Sequence, residues 1–128
     1  MTQNLVAVVT GGSAGIGAEI AHQMLDAGYE VISMARRDPE FSHPKLTSVK
    51  VDLLDAKATE QASREIARQH GVTHVVHNAG VIWPNLLPDV KQEELQGLTQ
   101  IHLGAAITLV QACLPHMESQ NFGRIVLM

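Results

Sequence analysis

The sequence predicts a parallel α/β fold, a doubly wound sheet with helices on its faces. Three observations predict it. Short apolar runs without alternation recur along the chain, as strands buried on both faces require. Stretches with a four-residue apolar spacing separate them, as crossover helices require. A glycine cluster, Gly11-Gly12-Ser13-Ala14-Gly15, joins the first run to the first helical stretch.

The elements follow in order. Leu5-Val6-Ala7-Val8-Val9 predicts a first strand, and the glycine cluster turns the chain. From Ile16 the period changes: Ile16, Ile20 and Met24, with Ala21 and Leu25 beside them, mark one face of a helix that Gly28 ends. Residues 29–34 predict a second strand, 38–44 a polar loop with two prolines, and 46–51 a weaker third strand. Asp55 is a good N-cap for a helix running to about His70, with Ala58, Ala62, Ile66 and Ala67 on its buried side. Residues 73–77 predict a fourth strand, which Asn78-Ala79-Gly80 breaks. Residues 81–90 read as loop. A helix then runs from Asp89 or Val90 to Leu114, with a bend at Gly97 or Gly104 and an end or kink at Pro115. One side of it carries Leu98, Ile101, Ala105 and Leu109. A second carries Leu103, Ile107, Val110 and Leu114, which calls for a second packing partner. Residues 122–128 predict a fifth strand. A sheet stopping there would leave that strand half covered, so residues 1–128 are expected to be the N-terminal part of a single larger domain.

Composition narrows the function classes. The 128 residues hold 45% hydrophobic and only 17% charged residues, enough for a core and suggestive of further buried surface. Nine basic against thirteen acidic residues give a net charge of −4, which argues against general nucleic-acid binding. One cysteine excludes a disulfide framework and a multi-thiolate metal site. Seven histidines are scattered, without HExxH spacing, so no metal site is expected. The start, Met1-Thr2-Gln3-Asn4, has no positive residue, and no run reads as a membrane span. A cytoplasmic protein without membrane partners is the expectation.

Gly11, Gly15 and Gly17 give the spacing GxxxGxG between a strand and a helix. Such a turn lets the backbone approach a pyrophosphate and meet it with amide groups at the helix N-terminus. Ser13 adds a hydroxyl donor. The bland alternative is a glycine turn needed only for packing. The end of the second strand, where an acid would take the ribose hydroxyls of NAD(H), reads Met34-Ala35-Arg36-Arg37. Guanidinium groups there suit a 2′-phosphate, so NADP(H) is expected, with NAD(H) as the alternative. Two solvated arginines are the bland reading, and the nearby Asp38 weighs against the phosphate.

Several motifs together resemble one family. Thr10-Gly11-Gly12-Ser13-Ala14-Gly15-Ile16-Gly17 resembles the TGxxxGIG motif of short-chain dehydrogenases/reductases, and His77-Asn78-Ala79-Gly80 their NNAG motif with His in first place. Val51-Asp52-Leu53 and Gly123-Arg124-Ile125-Val126 resemble the ends of their third strand and the start of their fifth. The resemblance implies a Rossmann-type doubly wound parallel sheet, incomplete at the C-terminus. It places Gly11, Ser13, Ala14, Ile16 and Gly17 along the pyrophosphate and Arg36 and Arg37 at the adenosine phosphate. It places Asp52 and Leu53 at adenine, and Asn78, Ala79 and Gly80 at the ribose. Asp52 and Asn78 could equally hold loops. The family's catalytic Asn position is taken by His102, a proton relay or a packed histidine. The family's catalytic Ser and Tyr-xxx-Lys pair are not found: Tyr29 is the one tyrosine, and Ser33 stands four residues on. Trp83 and Leu86 are candidates for one edge of the substrate cleft.

The resemblance implies an NADP(H)-dependent oxidoreductase acting on a small-molecule carbonyl or alcohol. A homo-oligomer is expected, or a second chain supplying the rest of the fold. The competing reading is a non-catalytic dinucleotide-binding or partner-completing structural chain.

Overall fold

The structure, a computed structural model, describes residues 4–128; the uncharged start Met1–Gln3 lies outside the described residues. The chain runs β1 (Val6–Thr10), α1 (Gly15–Asp26), β2 (Glu30–Ala35), β3 (Leu46–Lys50), α2 (Ala56–Gln69) and β4 (His74–His77). There follow a short 3₁₀ turn (Leu87–Asp89), α3 (Gln92–Thr99), a π turn (Gln100–Gly104), α4 (Ala105–Ser119) and β5 (Arg124–Leu127). All strands pair in parallel, in the order β3-β2-β1-β4-β5. The chain winds outward from β1 to β3, then returns to place β4 on the other side of β1. That reversal opens a crevice beyond the C-terminal ends of β1 and β4.

The pleat divides the core. Val8, Ile32 and Val75 face α2 and α4, where Ile66, Leu109 and Cys113 pack on them. Val9, Val31 and Val76 face α1, which covers them with Ala21 and Leu25. Burial pushes the Cys113 thiol up to about 11, so it behaves as a small apolar residue.

Three expectations about helix faces are corrected. The buried stripe of α1 is Gly17, Ala21 and Leu25; Ile16 is 67% exposed. A contact stripe that begins with a glycine is invisible to hydrophobic spacing. In α2 the fully buried positions are Thr59, Ser63 and Ile66, with Ala58 and Ala62 only half-buried. Thr59 can lie there because its hydroxyl donates to Asp55 O at 2.8 Å. Asp55 caps that helix as expected, accepting from Ala58 N at 3.0 Å.

The third correction concerns the long helix. It starts later than expected, at Gln92, after the single 3₁₀ turn. The regular α ladder is interrupted by the π turn that ends at Gly104, one of the two positions offered for a bend, but Pro115 does not end the helix: α4 continues to Ser119, and Met117 is buried and packs beneath Gly123. Residues Gln92–Ser119 therefore form a 28-residue helical rod with a mean hydropathy of 1.3 in its most apolar window, long and apolar enough to cross a membrane. Its stripe Ile101, Ala105, Leu109 and Cys113 instead packs on the sheet. Leu103, Ile107 and Leu114 stand exposed on the other side. In β5, Ile125, Val126 and Leu127 are all exposed, so apolar side chains of both faces of the strand remain uncovered.

Candidate functional site

The crevice is a cleft of about 350 Å³. That is the size of a small-molecule site. Four segments at the C-terminal ends of strands line it, Gly11, Ser13 and Ala14 after β1, Met34 to Arg37 at the end of β2, Val51 to Leu54 after β3 and Asn78 to Val81 after β4, and Ile101 of the π turn joins them. Ten of the residues singled out from the sequence thus meet in one place. Ile16, Gly17 and His102 do not line it.

The turn after β1 explains two of its glycines. Gly15 lies at φ +57°, in the left-handed region, with open space where a side chain would go. Gly17 is needed for contact: a Cβ there would overlap the Gly11 carbonyl oxygen and sit 2.6 Å from Asn78 Nδ2. Gly17 therefore lets α1 pack close beneath the loop, and its own N–H is among the free amides at the start of that helix. Helix α1 begins at Gly15 without a side-chain cap and without an acidic residue in its first turn. Its free N–H groups and positive dipole end are left to an anion.

Arg36 and Arg37 are exposed on the cleft wall and, among the described residues, make no salt bridge. Asp38 does not neutralise them. Its carboxylate accepts from Ser48 Oγ at 2.6 Å and lies 3.6 Å from Lys50 Nζ. Those two partners hold its pKa below the ordinary carboxylate value, the Ser48 bond most. Asp52 turns inward on its own loop and accepts from Leu54 N at 3.0 Å. Leu53 is buried beneath it.

At the inner end of the cleft, Thr10 Oγ1 accepts from the amides of Asn78 and Ala79, each at 3.0 Å. Asn78 Nδ2 donates to Gly11 O at 3.4 Å. His77 is fully buried beside Thr10, and burial holds its imidazole below the ordinary histidine pKa. In the sequence His77 stands out only as a departure from a motif. A histidine closing an apolar strand, level with a threonine that closes its neighbour, was the available signal.

His102 leaves the π turn on its exposed side. Its Nε2 lies 2.9 Å from Val81 O, and its ring packs on Gly80, where no side chain would fit beside it. It stands at the outer rim of the cleft. Trp83 packs against Gly97 of α3, and Leu86 is exposed; neither lines the cleft. Tyr29 lies before β2, at the opposite end of the sheet, with its hydroxyl 3.4 Å from His74 Nε2. It cannot reach the cleft.

Comparison with known proteins agrees with this geometry. The family model for short chain dehydrogenase matches residues 5–128. A benzil reductase ((S)-benzoin forming) of Bacillus subtilis is 34% identical over 111 residues, covering 81% of this chain and 45% of that protein. Dehydrogenase RED2 of Cochliobolus heterostrophus is 35% identical over 127 residues, covering 96% of this chain and 48% of that protein. A putative NAD(P) dependent gluconate 5-dehydrogenase of Beutenbergia cavernae, solved with bound NADP, superposes with a TM-score of 0.87 at 29% identity. The match covers 96% of this chain and 53% of that one. The chain spans about half the length of the curated relatives it matches.

Proposed function

The chain belongs to the short chain dehydrogenase family, and on that premise we propose that it is the cofactor-binding part of an oxidoreductase. The reaction moves a hydride between NADP(H) and a carbonyl or alcohol carbon. One observation carries the reading: the uncapped start of α1 and two arginines that form no salt bridge among the described residues converge on one cleft at the reversal of strand order.

The donor set fits a dinucleotide. Backbone amides of the turn after β1, with the Ser13 hydroxyl, hold the pyrophosphate. Ala35 leaves no carboxylate to repel a 2′-phosphate, and Arg36, flanked by Arg37, pairs with it. Asp52 and Leu53 border adenine, and Asn78 to Gly80 border the ribose. Bound there, the cofactor supplies the hydride. His102 is assigned to passing a proton between solvent and the reacting oxygen, which an imidazole can do near neutral pH. Polarising the carbonyl and donating the proton fall, by family resemblance, to a serine and a Tyr-xxx-Lys pair that these 128 residues do not supply.

The exposed stripe of Leu95, Leu103, Ile107 and Leu114 supports self-association of the whole protein. The uncovered faces of β5 call for further polypeptide on the sheet, which suits the oxidoreductase reading and the competing one of a partner-completing structural chain alike.

Arg36→Ala in the complete protein tests the cofactor choice. NADPH binding is expected to weaken by about 1–3 kcal/mol, the worth of a charge-assisted contact, with NADH binding nearly unchanged. Equal weakening of both in a calorimetric titration would remove Arg36 from the phosphate site.

A further inference from the structure

Thr10 fixes the tautomer of the histidine beside it. A hydroxyl has two acceptor positions and one proton. Both acceptor positions of Thr10 Oγ1 are taken, by the amides of Asn78 and Ala79 at 3.0 Å. It has no position left to accept a proton from His77 Nδ1, 2.9 Å away, so in that contact the hydroxyl donates. Nδ1 is the acceptor, so the ring proton sits on Nε2. From there it is donated to Ile101 O at 2.8 Å.

Ile101 lies in the π turn, where Ala105 N–H reaches back five residues to Gln100 O. Such a widened turn breaks the regular ladder and needs outside support. Three consecutive residues receive it from three segments around the cleft. Gln100 Nε2 donates to Leu53 O at 3.1 Å, and His102 Nε2 meets Val81 O at 2.9 Å. Between them, His77 ties Ile101 to the sheet itself. The middle bond is the only one of the three whose side chain comes from a strand.

We propose that His77 is a positioning residue: its Nε2–H tautomer, imposed by Thr10, anchors the π turn and thereby sets where the His102 imidazole stands at the rim of the cleft. The inference rests on reading that cleft as the dinucleotide site. His77 itself touches no ligand.

Two amide substitutions separate its ring nitrogens. An asparagine amide reaches about as far as Nδ1, so His77→Asn keeps the Thr10 bond and releases Ile101. A glutamine amide reaches about as far as Nε2, so His77→Gln keeps the tie to Ile101. Long-range proton–nitrogen spectra of the full protein at neutral pH give the imidazole states. In the wild type, His77 is expected to carry its proton on Nε2. His77→Asn is expected to move the His102 ring resonances and lower kcat by about tenfold while NADPH affinity stays within about twofold, as a small misplacement at a reacting centre does. His77→Gln should return both towards wild type. A protonated Nδ1 or a cationic ring in the wild type overturns the inference, as do unmoved His102 resonances in His77→Asn. Should His77→Asn not fold, a coupling through the hydrogen bond from His77 Nε2 to the Ile101 carbonyl carbon decides in the wild type. Its presence supports the anchor and its absence refutes it. Failure of the wild type to bind NADPH would instead count against the dinucleotide reading.

Discussion

Gly17→Ala is expected to destabilise the protein by about 3 kcal/mol and to weaken dinucleotide binding more than about tenfold, although Gly17 lines no part of the cleft. The added methyl would overlap a backbone carbonyl, that of Gly11, and crowd Asn78 Nδ2. A flexible side chain could swing away from such a contact; a carbonyl held in a tight turn cannot. Relief requires α1 to move off the sheet or the turn to open. Either displaces the helix N-terminus from the cleft that it serves. Gly15→Ala is the control, because nothing lies near its Cβ and only the left-handed backbone resists it. It should cost about 1–2 kcal/mol. Urea unfolding and an NADPH titration check both; a Gly17→Ala midpoint equal to that of wild type would contradict the packing argument.

Thr10→Val is expected to be comparably severe, despite near-identical shape. Thr10 is 1% exposed and its hydroxyl serves three groups at once. Valine would strand the amides of Asn78 and Ala79 and the Nδ1 of His77. Unsatisfied buried groups cost about 1–3 kcal/mol each, and a shared network makes the sum less than additive, so about 3–5 kcal/mol is expected. Thr10→Ser keeps the hydroxyl and should lose much less. Urea denaturation of the two variants is the check. A valine variant as stable as the serine variant would show that water replaces the hydroxyl.

Much of this arrangement was legible in the residues. The apolar runs placed β1, β2 and β4 to within a residue or so, because strands buried on both faces leave a continuous signal. Asp55 marked the start of α2, and the spacing of Gly11, Gly15 and Gly17 marked the turn that carries the cleft. Contacts made by small or polar side chains were not legible. Gly17 at the head of the α1 stripe and Thr59 and Ser63 in α2 are buried for fit, and no hydrophobic scale ranks them as core. Pro115 resembles a stop but sits where tertiary packing overrides local preference, whereas Gly104 closes the π turn that interrupts the ladder. His77 was the largest omission. Its role depends on Thr10 and Ile101, which lie 67 and 24 residues away. Only the parallel pairing of β1 with β4 brings Thr10 level with it.

The central claim, that one cleft at the C-terminal ends of the strands holds an NADP(H) molecule, is tested most directly by mapping amide resonances of the complete protein during an NADPH titration. The account predicts saturating shifts in the turn from Gly11 to Gly17, at Ala35 to Arg37, at Asp52 and Leu53, and from Asn78 to Val81. It predicts silence at Glu30, His70 and His116, which surround a separate cavity of about 590 Å³ at the opposite end of the sheet. Shifts centred on that opposite cavity, or no saturable shifts at all, would contradict it.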